Sequence, residues 1–327
     1  MTSFRSALIT GGTGFIGSAL VRHLLAEHIE VTCLIRSKHR SKPLLAQPGL
    51  RILEVSSFEV STLRAELAGI SADVVFNLAA YGVQQEDRDF DQLISGNVAL
   101  LTHLLEVTSD WPIQKFIHAG SCSEYGFPLA VETPIQEDHR LHPTSVYGAA
   151  KATAGLFGSC LAAKLGVPFL TLRLFGVYGR HESPQRLVPY LMDRLEREQA
   201  VDLTPGEQVR DLLFEDDVTE AFIQAARSSA IALHEAYNVC SAQRTRIREL
   251  GELVAAALNR PSHLLRWGAR SYRKDEPMWL VGDNRRFLSA TEWLPRTTLE
   301  SGLSRIVRSR AEVKGEQQPN ELRQVCR

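Results

Sequence analysis

The sequence has almost no net charge, no long apolar run and no paired cysteines. Its 327 residues contain 37 Lys and Arg against 38 Asp and Glu, so no global field favours nucleic acid or an anionic membrane as the main partner. No apolar stretch approaches the roughly 20 residues that span a bilayer, and the first residues lack the apolar core of a signal peptide. We therefore expect a cytoplasmic protein with no nucleic-acid or membrane partner.

Cysteine usage argues against a disulfide framework and against zinc. The five cysteines stand at positions 33, 122, 160, 240 and 326, with no Cys-x-x-Cys pair and no histidine at ligand spacing. Scattered cysteines in odd number are typical of reduced thiols. We expect free thiols and no metal site.

Apolar, β-rich runs alternate with segments long enough for a helix. The runs cover residues 7–10, 31–35, 51–55, 74–78, 115–120 and 168–174, and the clearest helical patterns cover 18–28, 96–108, 147–165, 189–198, 216–228 and 247–259. This alternation predicts a buried parallel sheet with helical crossovers.

A glycine-rich turn follows the first predicted strand. Gly11, Gly14 and Gly17 are spaced Gly-x-x-Gly-x-x-Gly and lead directly into an amphipathic segment. Such a turn lets backbone N–H groups approach a pyrophosphate at a helix N-terminus. We predict dinucleotide contacts from this turn, including Thr13, Phe15 and Ile16. A turn that merely needs positive φ is the alternative.

These patterns predict an α/β fold with a Rossmann-type doubly wound parallel sheet and a smaller C-terminal α/β substrate lobe. The dinucleotide-binding domain is predicted over 1–172, joined by 208–240. The substrate lobe is predicted over 173–207 and 241–310, where Pro and Gly interrupt shorter elements. Residues 311–327 are polar and aperiodic, and we expect a flexible tail there.

The residues after the second predicted strand bear on the choice of dinucleotide. An NAD site usually places a carboxylate there for the adenosine ribose. This chain has Arg36, Ser37 and Lys38 instead, and an arginine can pair with a 2′-phosphate. We therefore favour NADP(H) over NAD(H). A solvated basic loop is the alternative.

A tyrosine and a lysine stand one helical turn apart in a later helix. Tyr147 and Lys151 share one face of the segment 147–165, which Thr144 or Ser145 could cap. An adjacent ammonium stabilises a phenolate and moves its pKa toward neutrality. Upstream, the strand 115–120 delivers Ser121 at its carboxyl end, where a hydroxyl could meet a substrate oxygen opposite Tyr147.

Taken together, these motifs resemble the extended short-chain dehydrogenase/reductases. The similarity is to the branch called NAD-dependent epimerase/dehydratases, which mostly act on nucleotide-linked sugars. It covers nearly the whole chain: the glycine turn, residues 73–80, 96–98 and 121–126, Tyr147 with Lys151, and residues 172–179, 210–218 and 237–239.

The resemblance implies a role for each matching residue in catalysis. Tyr147 is the proton relay, and Lys151 tunes it and binds the nicotinamide ribose. Ser121 shares the substrate oxygen; it is chosen over Ser123 because the family's catalytic hydroxyl stands four residues before a Tyr-Gly pair, here at Tyr125.

Further implied contacts surround this trio. Asn97 would support Lys151 through a water or backbone contact, with a plain polar residue inside a helix as the alternative. Leu78, Ala79 and Ala80 would line the cofactor. Ser56 would offer a hydroxyl where many members use Asp to hold the adenine.

The implied substrate contacts are Tyr81, Ser121, Ser123, Arg180, Arg210 and Arg273. Arg210 resembles the family's arginine for the substrate diphosphate, and an ion pair with Asp216 or Asp217 is the alternative. Arg273 is a second candidate for the same contact.

Departures from the family pattern limit the set of reactions that we expect. Dehydratases place an acidic pair directly after the catalytic hydroxyl, whereas this chain has Cys122 and Ser123, so we do not expect 4,6-dehydration. The position after Phe175 is commonly Asn, and here it is Gly176.

Three functions follow from these residues. We favour an NADPH-dependent reductase acting on a keto carbon, C4, of a nucleotide-linked 4-keto-6-deoxy sugar. An NAD-dependent nucleotide-sugar epimerase that oxidises C4 transiently is the alternative, and a non-catalytic dinucleotide sensor is the third.

The helices of Asn97 and Tyr147 also suggest a homodimer, since family members often pair them in a four-helix bundle. Their apolar residues are Leu100, Leu101, Leu104, Leu105, Leu156, Phe157 and Leu161. Burial within one chain explains them equally well.

Overall fold

The computed structural model describes residues 3–36, 47–83, 89–126, 132–274 and 276–324. Its strands, in chain order, are β1 Ser6–Thr10, β2 Glu30–Ile35, β3 Leu50–Glu54, β4 Val74–Asn77, β5 Lys115–Ser121, β6 Phe169–Leu174, β7 Gly176–Tyr178, β8 Val201–Asp202, β9 Val209–Arg210, β10 Leu212–Phe214, β11 Ala236–Val239, β12 Thr245–Arg246, β13 Leu265–Arg266 and β14 Trp279–Leu280.

The helices, in the same order, are α1 Phe15–Ala26, α2 Val60–Glu66, α3 Phe90–Ile94, α4 Leu100–Thr108, α5 Val146–Leu165, α6 Leu187–Glu196, α7 Glu215–Arg227, α8 Ile247–Ala257, α9 Arg285–Ala290 and α10 Leu299–Gln324. A π-helical turn, Ser95–Ala99, joins α3 to α4, and short 3-10 turns cover Cys122–Tyr125 and Ser262–Leu264.

The central sheet is parallel and has seven strands in the order β11-β6-β5-β4-β1-β2-β3. The chain winds from β1 outward to β3 and then returns to β4 on the other side of β1. The order therefore reverses between β1 and β4, where open α/β sheets bind ligands outside the carboxyl ends of their strands. The predicted Rossmann-type α/β fold is confirmed.

Helices cover both faces of this sheet, as a buried parallel sheet requires. One core packs α1 and α7 on one face, and a second packs α2, α4 and α5 on the other. A third core joins α6, α8 and α10 beside the carboxyl edge of the sheet. Among the described residues, no helix is long and apolar enough to cross a membrane.

Two helices differ from the sequence prediction. The pattern over 96–108 predicts one regular helix, whereas its first residues form the π-helical turn. The final helix α10 continues to Gln324, although the sequence predicts a flexible tail from 311. Leu303 and Ile306 are buried against the third core, which anchors the first turns of α10, whereas Gly315 and Pro319 in its later part are poor helix formers. The flexibility of its end stays a prediction.

Candidate active site

The glycine turn between β1 and α1 leaves no room for side chains. Gly11 has a φ of +74°, and a Cβ there would lie 2.6 Å from the amide nitrogen of Ala79. A Cβ on Gly17 would overlap the Gly11 carbonyl oxygen, which also accepts the Gly14 N–H at 2.9 Å. The glycines therefore let β1, β4 and α1 meet at the point where the strand order reverses.

The first turn of α1 has no side-chain cap. Its N-cap, Gly14, makes no side-chain hydrogen bond, and no acidic residue lies in the first turn. N–H groups at such a helix end attract anions. A cradle closed to Cβ atoms beside an uncapped helix end fits a dinucleotide pyrophosphate. Thr13, Phe15 and Ile16 lie on this turn and the first helical positions.

The predicted adenosine contacts lie on the neighbouring strand ends. Arg36 follows β2 directly and is exposed, and Ser56 is exposed beyond β3. Both are accessible from the carboxyl edge of the sheet. Ser37 and Lys38 fall outside the described residues, so their contacts stay predictions.

A row of buried polar side chains crosses the sheet beneath the turn. The Ala79 N–H donates to Thr10 Oγ1 at 3.3 Å, and Thr10 donates to Asn77 Oδ1 at 2.6 Å. The Asn77 amide then lies 3.2 Å from His118 Nδ1. His118 is fully buried, and burial and the nearby Lys151 cation lower its pKa well below the usual value. Two other predicted cofactor contacts lie on this loop: Leu78 is half-buried and Ala80 is exposed.

β5 ends in a 3-10 turn that orients Ser121. Its Oγ accepts the Ser123 N–H at 3.2 Å and donates to Ser123 Oγ at 3.0 Å. In return, Glu124 Oε1 accepts the Ser121 N–H at 2.8 Å, which completes a capping box. The turn therefore holds two hydroxyls side by side at the carboxyl end of the sheet.

α5 brings Tyr147 against this turn. Ser145 caps the helix by accepting the Gly148 N–H at 3.0 Å. A Cβ on Gly148 would overlap the carbonyl oxygen of Ser123 and come within 3.0 Å of its carbon, so helix and turn are in backbone contact. The Ser121 hydroxyl lies within hydrogen-bonding reach of the Tyr147 phenol.

Burial controls the charge of the two titratable groups. Tyr147 is half-buried and Lys151 is buried. Burial raises the pKa of the Tyr147 phenol, and the hydrogen bond from Ser121 acts in the opposite direction. Burial also lowers the pKa of Lys151 to about 8, against the charge of Glu124, which raises it. At neutral pH the phenol of Tyr147 is therefore protonated, and Lys151 is still mostly cationic.

Asn97 lies on the π-helical turn and is buried. Its amide nitrogen donates to the carbonyl oxygens of Tyr81 and Leu93, both at 2.9 Å, and its oxygen accepts the Tyr81 N–H at 3.4 Å. These bonds fix the loop after β4, where a Cβ on Gly82 would lie 3.4 Å from the Tyr147 ring. The predicted support of Lys151 stays a prediction.

The predicted substrate contact Arg180 has protein partners. Its guanidinium pairs with Glu215 at 2.5 Å and with Asp216, both in the first turn of α7. It also lies over the Phe214 ring at 5.7 Å. The structure thus ties Arg180 to α7, and a substrate anion would have to compete with two carboxylates.

The two arginines predicted for a diphosphate converge on one carboxylate. Arg210 pairs with Glu276 at 2.8 Å, and Arg273 pairs with the same carboxylate at 3.1 Å. The guanidinium groups of Arg210 and Arg273 therefore share one carboxylate, that of Glu276, whose side chain is only 11% exposed. The predicted alternative for Arg210, an ion pair with Asp216 or Asp217, is wrong in its partner, because Arg210 pairs with Glu276. The predicted contact of Arg210 with a diphosphate stays a prediction.

The residues that depart from the family pattern are also placed. Cys122 is buried, and burial raises the pKa of its thiol to about 12, so it stays neutral. A Cβ on Gly176 would lie 2.5 Å from the Asp211 carbonyl oxygen and 3.1 Å from Leu212. Backbone packing therefore requires glycine at position 176 of this chain.

Three groups near the site escaped the sequence prediction. Glu124 could have been found, because Ser121 and Glu124 show the spacing of a capping box. Arg186 acts on Tyr147 through its charge and lowers the phenol pKa, and no motif marks it. Glu276 lies 66 residues from Arg210, and sequence offers no signal for that pairing.

The chain is similar to known proteins over most of its length. It is 28% identical over 315 residues to the UDP-glucose 4-epimerase of Mycolicibacterium smegmatis, covering 92% of this chain and 96% of the relative. It is 25% identical over 318 residues to the dTDP-4-dehydro-6-deoxyglucose reductase of Escherichia coli, with the same coverage. The structure of the dTDP-glucose 4,6-dehydratase of Bacillus anthracis in complex with NAD superposes with a TM-score of 0.82 at 20% identity, covering 94% and 96% of the two chains.

The sequence model of the NAD dependent epimerase/dehydratase family matches residues 7–240. That range holds the glycine turn, the Ser121 turn, and Tyr147 with Lys151. The relatives described above are an epimerase, a reductase and a dehydratase of nucleotide-linked sugars, and the Bacillus anthracis structure contains NAD. The chain therefore belongs to the NAD-dependent epimerase/dehydratase family of extended short-chain dehydrogenase/reductases and is an enzyme of that type.

Proposed function

We propose that this enzyme reduces a keto group, at C4, of a nucleotide-linked 4-keto-6-deoxy sugar with NADPH. The dinucleotide, when bound on the glycine turn, supplies a hydride to the keto carbon. Tyr147 donates its phenolic proton to the resulting alkoxide oxygen, and Ser121 donates a hydrogen bond to that oxygen. Lys151 supports the phenolate left on Tyr147, and bulk water restores its proton.

One observation carries the choice of reduction over dehydration. The turn that presents Ser121 continues with a neutral buried thiol at Cys122 and a hydroxyl at Ser123. Neither side chain can serve as the carboxylate base and acid that expulsion of water needs. The remaining proton relay, Tyr147, suits addition of a hydride and a proton across a carbonyl.

The direct test offers the purified enzyme a panel of nucleotide-linked 4-keto-6-deoxy sugars with NADPH. We expect substrate-dependent loss of NADPH absorbance and one alcohol configuration in the product. An epimerase would instead convert a sugar nucleotide without net change in cofactor, as the name of the mycobacterial relative suggests. Absence of NADPH consumption with every keto sugar would contradict the proposal.

Cofactor preference gives a separate prediction. We expect NADP(H) to bind more tightly than NAD(H), because Arg36 is exposed directly after β2 and can pair with the 2′-phosphate. Replacing Arg36 by Ser should weaken NADP(H) binding about 10- to 100-fold and leave NAD(H) binding nearly unchanged. Calorimetric titration with both dinucleotides checks this. The proposed preference would be wrong if Arg36→Ser weakened both equally.

Activity should depend on pH through Lys151. Burial lowers its pKa to about 8, so the ammonium is present below pH 8 and is lost as the pH rises through that value. Reduction needs a protonated Tyr147 beside a cation, and kcat should therefore fall above about pH 8. Lys151→Arg keeps the charge across the range and should remove this alkaline fall at a lower absolute rate. A pH profile of kcat for both proteins measures the difference.

We also propose a homodimer through α3 and α5. The α4 leucines 100, 101, 104 and 105 are buried within the chain, so they do not support an interface. Leu156 and Phe157 on α5, with Phe90 and Ile94 on α3, remain more than half exposed. The two helices are in contact, and exposed large apolar side chains on neighbouring helices favour an interface. Leu156→Glu should yield a monomer by light scattering, whereas Leu294→Glu, at an equally exposed leucine, should not.

A further inference from the structure

We propose that Glu124 is a positioning residue of this active site, one that holds Ser121 in place and sets the charge around Tyr147 and Lys151. The inference rests on the proposed function, because it assigns those three residues to catalysis. Neither the sequence motifs nor the family resemblance gave Glu124 a role. The structure places its carboxylate directly behind the reactive trio.

The carboxylate is wholly buried and both oxygens are used. Glu124 has no exposed surface. Oε1 accepts the backbone N–H of Ser121 at 2.8 Å, and Oε2 accepts Nε of Arg173 at 2.8 Å. One oxygen is thus bonded to the residue that carries the catalytic hydroxyl, and the other to a cation on β6.

Gly120 of β5 makes room for this carboxylate, because a Cβ there would lie 2.6 Å from Oε1 and 2.7 Å from the methyl carbon of Thr171 on β6. Gly155 of α5 is also close, but a Cβ there would lie 3.9 Å from Oε2, which is an ordinary contact distance. The carboxylate therefore fits in its present position only because residue 120 has no side chain.

The arginine is fixed in turn by groups away from the site. Arg173 Nη1 donates to the Tyr125 hydroxyl at 2.9 Å and to the Glu137 carbonyl oxygen at 3.2 Å. The Tyr125 hydroxyl donates to Asn238 Oδ1 on β11 at 2.7 Å, and Arg173 also lies over the Tyr125 ring at 4.8 Å. The chain of contacts anchors Glu124 to the far edge of the sheet.

The position of Glu124 makes its charge effective at both titrating groups. Its negative charge raises the pKa of Lys151 and also that of Tyr147. The other groups that face them are His118 beside Lys151, and Ser121, Cys122 and Arg186 around Tyr147. Of these groups only Glu124 acts on both. Removing its charge should therefore lower both pKa values together.

The test is a double-mutant cycle on the buried ion pair of Glu124 and Arg173. Glu124→Gln keeps an oxygen for the Ser121 N–H but removes the charge, and we expect the pH profile of kcat to move down by on the order of one pH unit. Arg173→Met removes the opposing cation and should move the profile up. Because each single variant leaves one group unpaired in the interior, Glu124→Gln with Arg173→Met provides a folded reference, in which the shift should be smaller than in either.

A titration without substrate separates this proposal from the proposed function. The titration of Lys151, followed by NMR of carbon-13-labelled lysine and assigned with Lys151→Arg, needs no sugar nucleotide. In Glu124→Gln the pKa of Lys151 should be lower than in the parent protein, where it is about 8. If this pKa is unchanged and only the melting temperature falls, Glu124 is a structural residue and the inference is wrong, whatever the enzyme reduces.

Discussion

Tyr147→Phe should reduce kcat by about 10²- to 10⁴-fold, the range expected when a general acid is removed. The change deletes only the hydroxyl, and the ring keeps its packing against the loop at Gly82. Dinucleotide affinity should stay within about threefold, because a neutral phenol adds at most one hydrogen bond to binding. Single-turnover measurements of hydride transfer, together with dinucleotide titration, give the two numbers.

Tyr190→Phe is the matched control for that experiment. Tyr190 lies on α6, where its ring lies 5.4 Å from the Arg194 guanidinium, and it packs against the third core. Its loss of a hydroxyl should leave kcat unchanged. If Tyr147→Phe kept the parent rate of hydride transfer, the proton relay assigned to Tyr147 would be wrong.

Gly17→Ala should abolish tight dinucleotide binding and lower the melting temperature. The added methyl would occupy the position of the Gly11 carbonyl oxygen and would also lie 3.0 Å from Gly12 Cα, so either the turn opens or α1 moves. Overpacking of this kind costs about 1–3 kcal/mol, and the cradle for the pyrophosphate would be distorted by the same movement. We expect dinucleotide affinity to fall by at least about 100-fold, measured by titration.

Gly69→Ala is the control that separates the effect of backbone strain from the effect of distorting the glycine turn that would hold the pyrophosphate. Gly69 also has a positive φ, +73°, but a Cβ there meets nothing within 4 Å. Its replacement should lower the melting temperature by a few degrees, corresponding to about 1 kcal/mol of strain, without effect on dinucleotide affinity. Equal affinity losses in the two variants would contradict the role given to Gly17.

The sheet was predictable because each buried parallel strand has a short run of apolar residues as its sequence. The predicted run 74–78 and the observed β4, Val74–Asn77, differ by one residue, and four of the other five runs agree as closely. The run 51–55 is shifted by one residue at both ends from β3, Leu50–Glu54. The sequence marked β11 less clearly, since Ala236–Val239 is four residues long and includes a buried asparagine. The pairing of β11 with β6 depends on contacts 65 residues apart, which local patterns cannot show.

The grouping of Ser121, Tyr147 and Lys151 was predictable for a similar reason, and the contacts around these residues were not. Tyr147 and Lys151 are neighbours on one helix, and Ser121 ends an adjacent strand, so spacing and topology suffice to bring them together. The partners of Arg210 and Arg180 are decided by loop packing between distant segments. Those ion pairs reduce the ability of each arginine to bind a substrate anion, and they can be seen only in the folded structure.

The π-helical turn at Ser95–Ala99 also explains why residue spacing alone would predict the wrong set of exposed residues in this segment. In an uninterrupted α-helix, Phe90, Ile94, Leu101 and Leu105 would form one continuous apolar stripe, since seven residues complete almost two turns. The extra residue of the π-turn rotates the later half by about 100°. Leu101 and Leu105 consequently face the core, while Phe90 and Ile94 face outward. Deleting one residue from this turn would restore one continuous apolar stripe. It would also displace the Asn97 amide, and the loop at Tyr81 that it holds, relative to Tyr147.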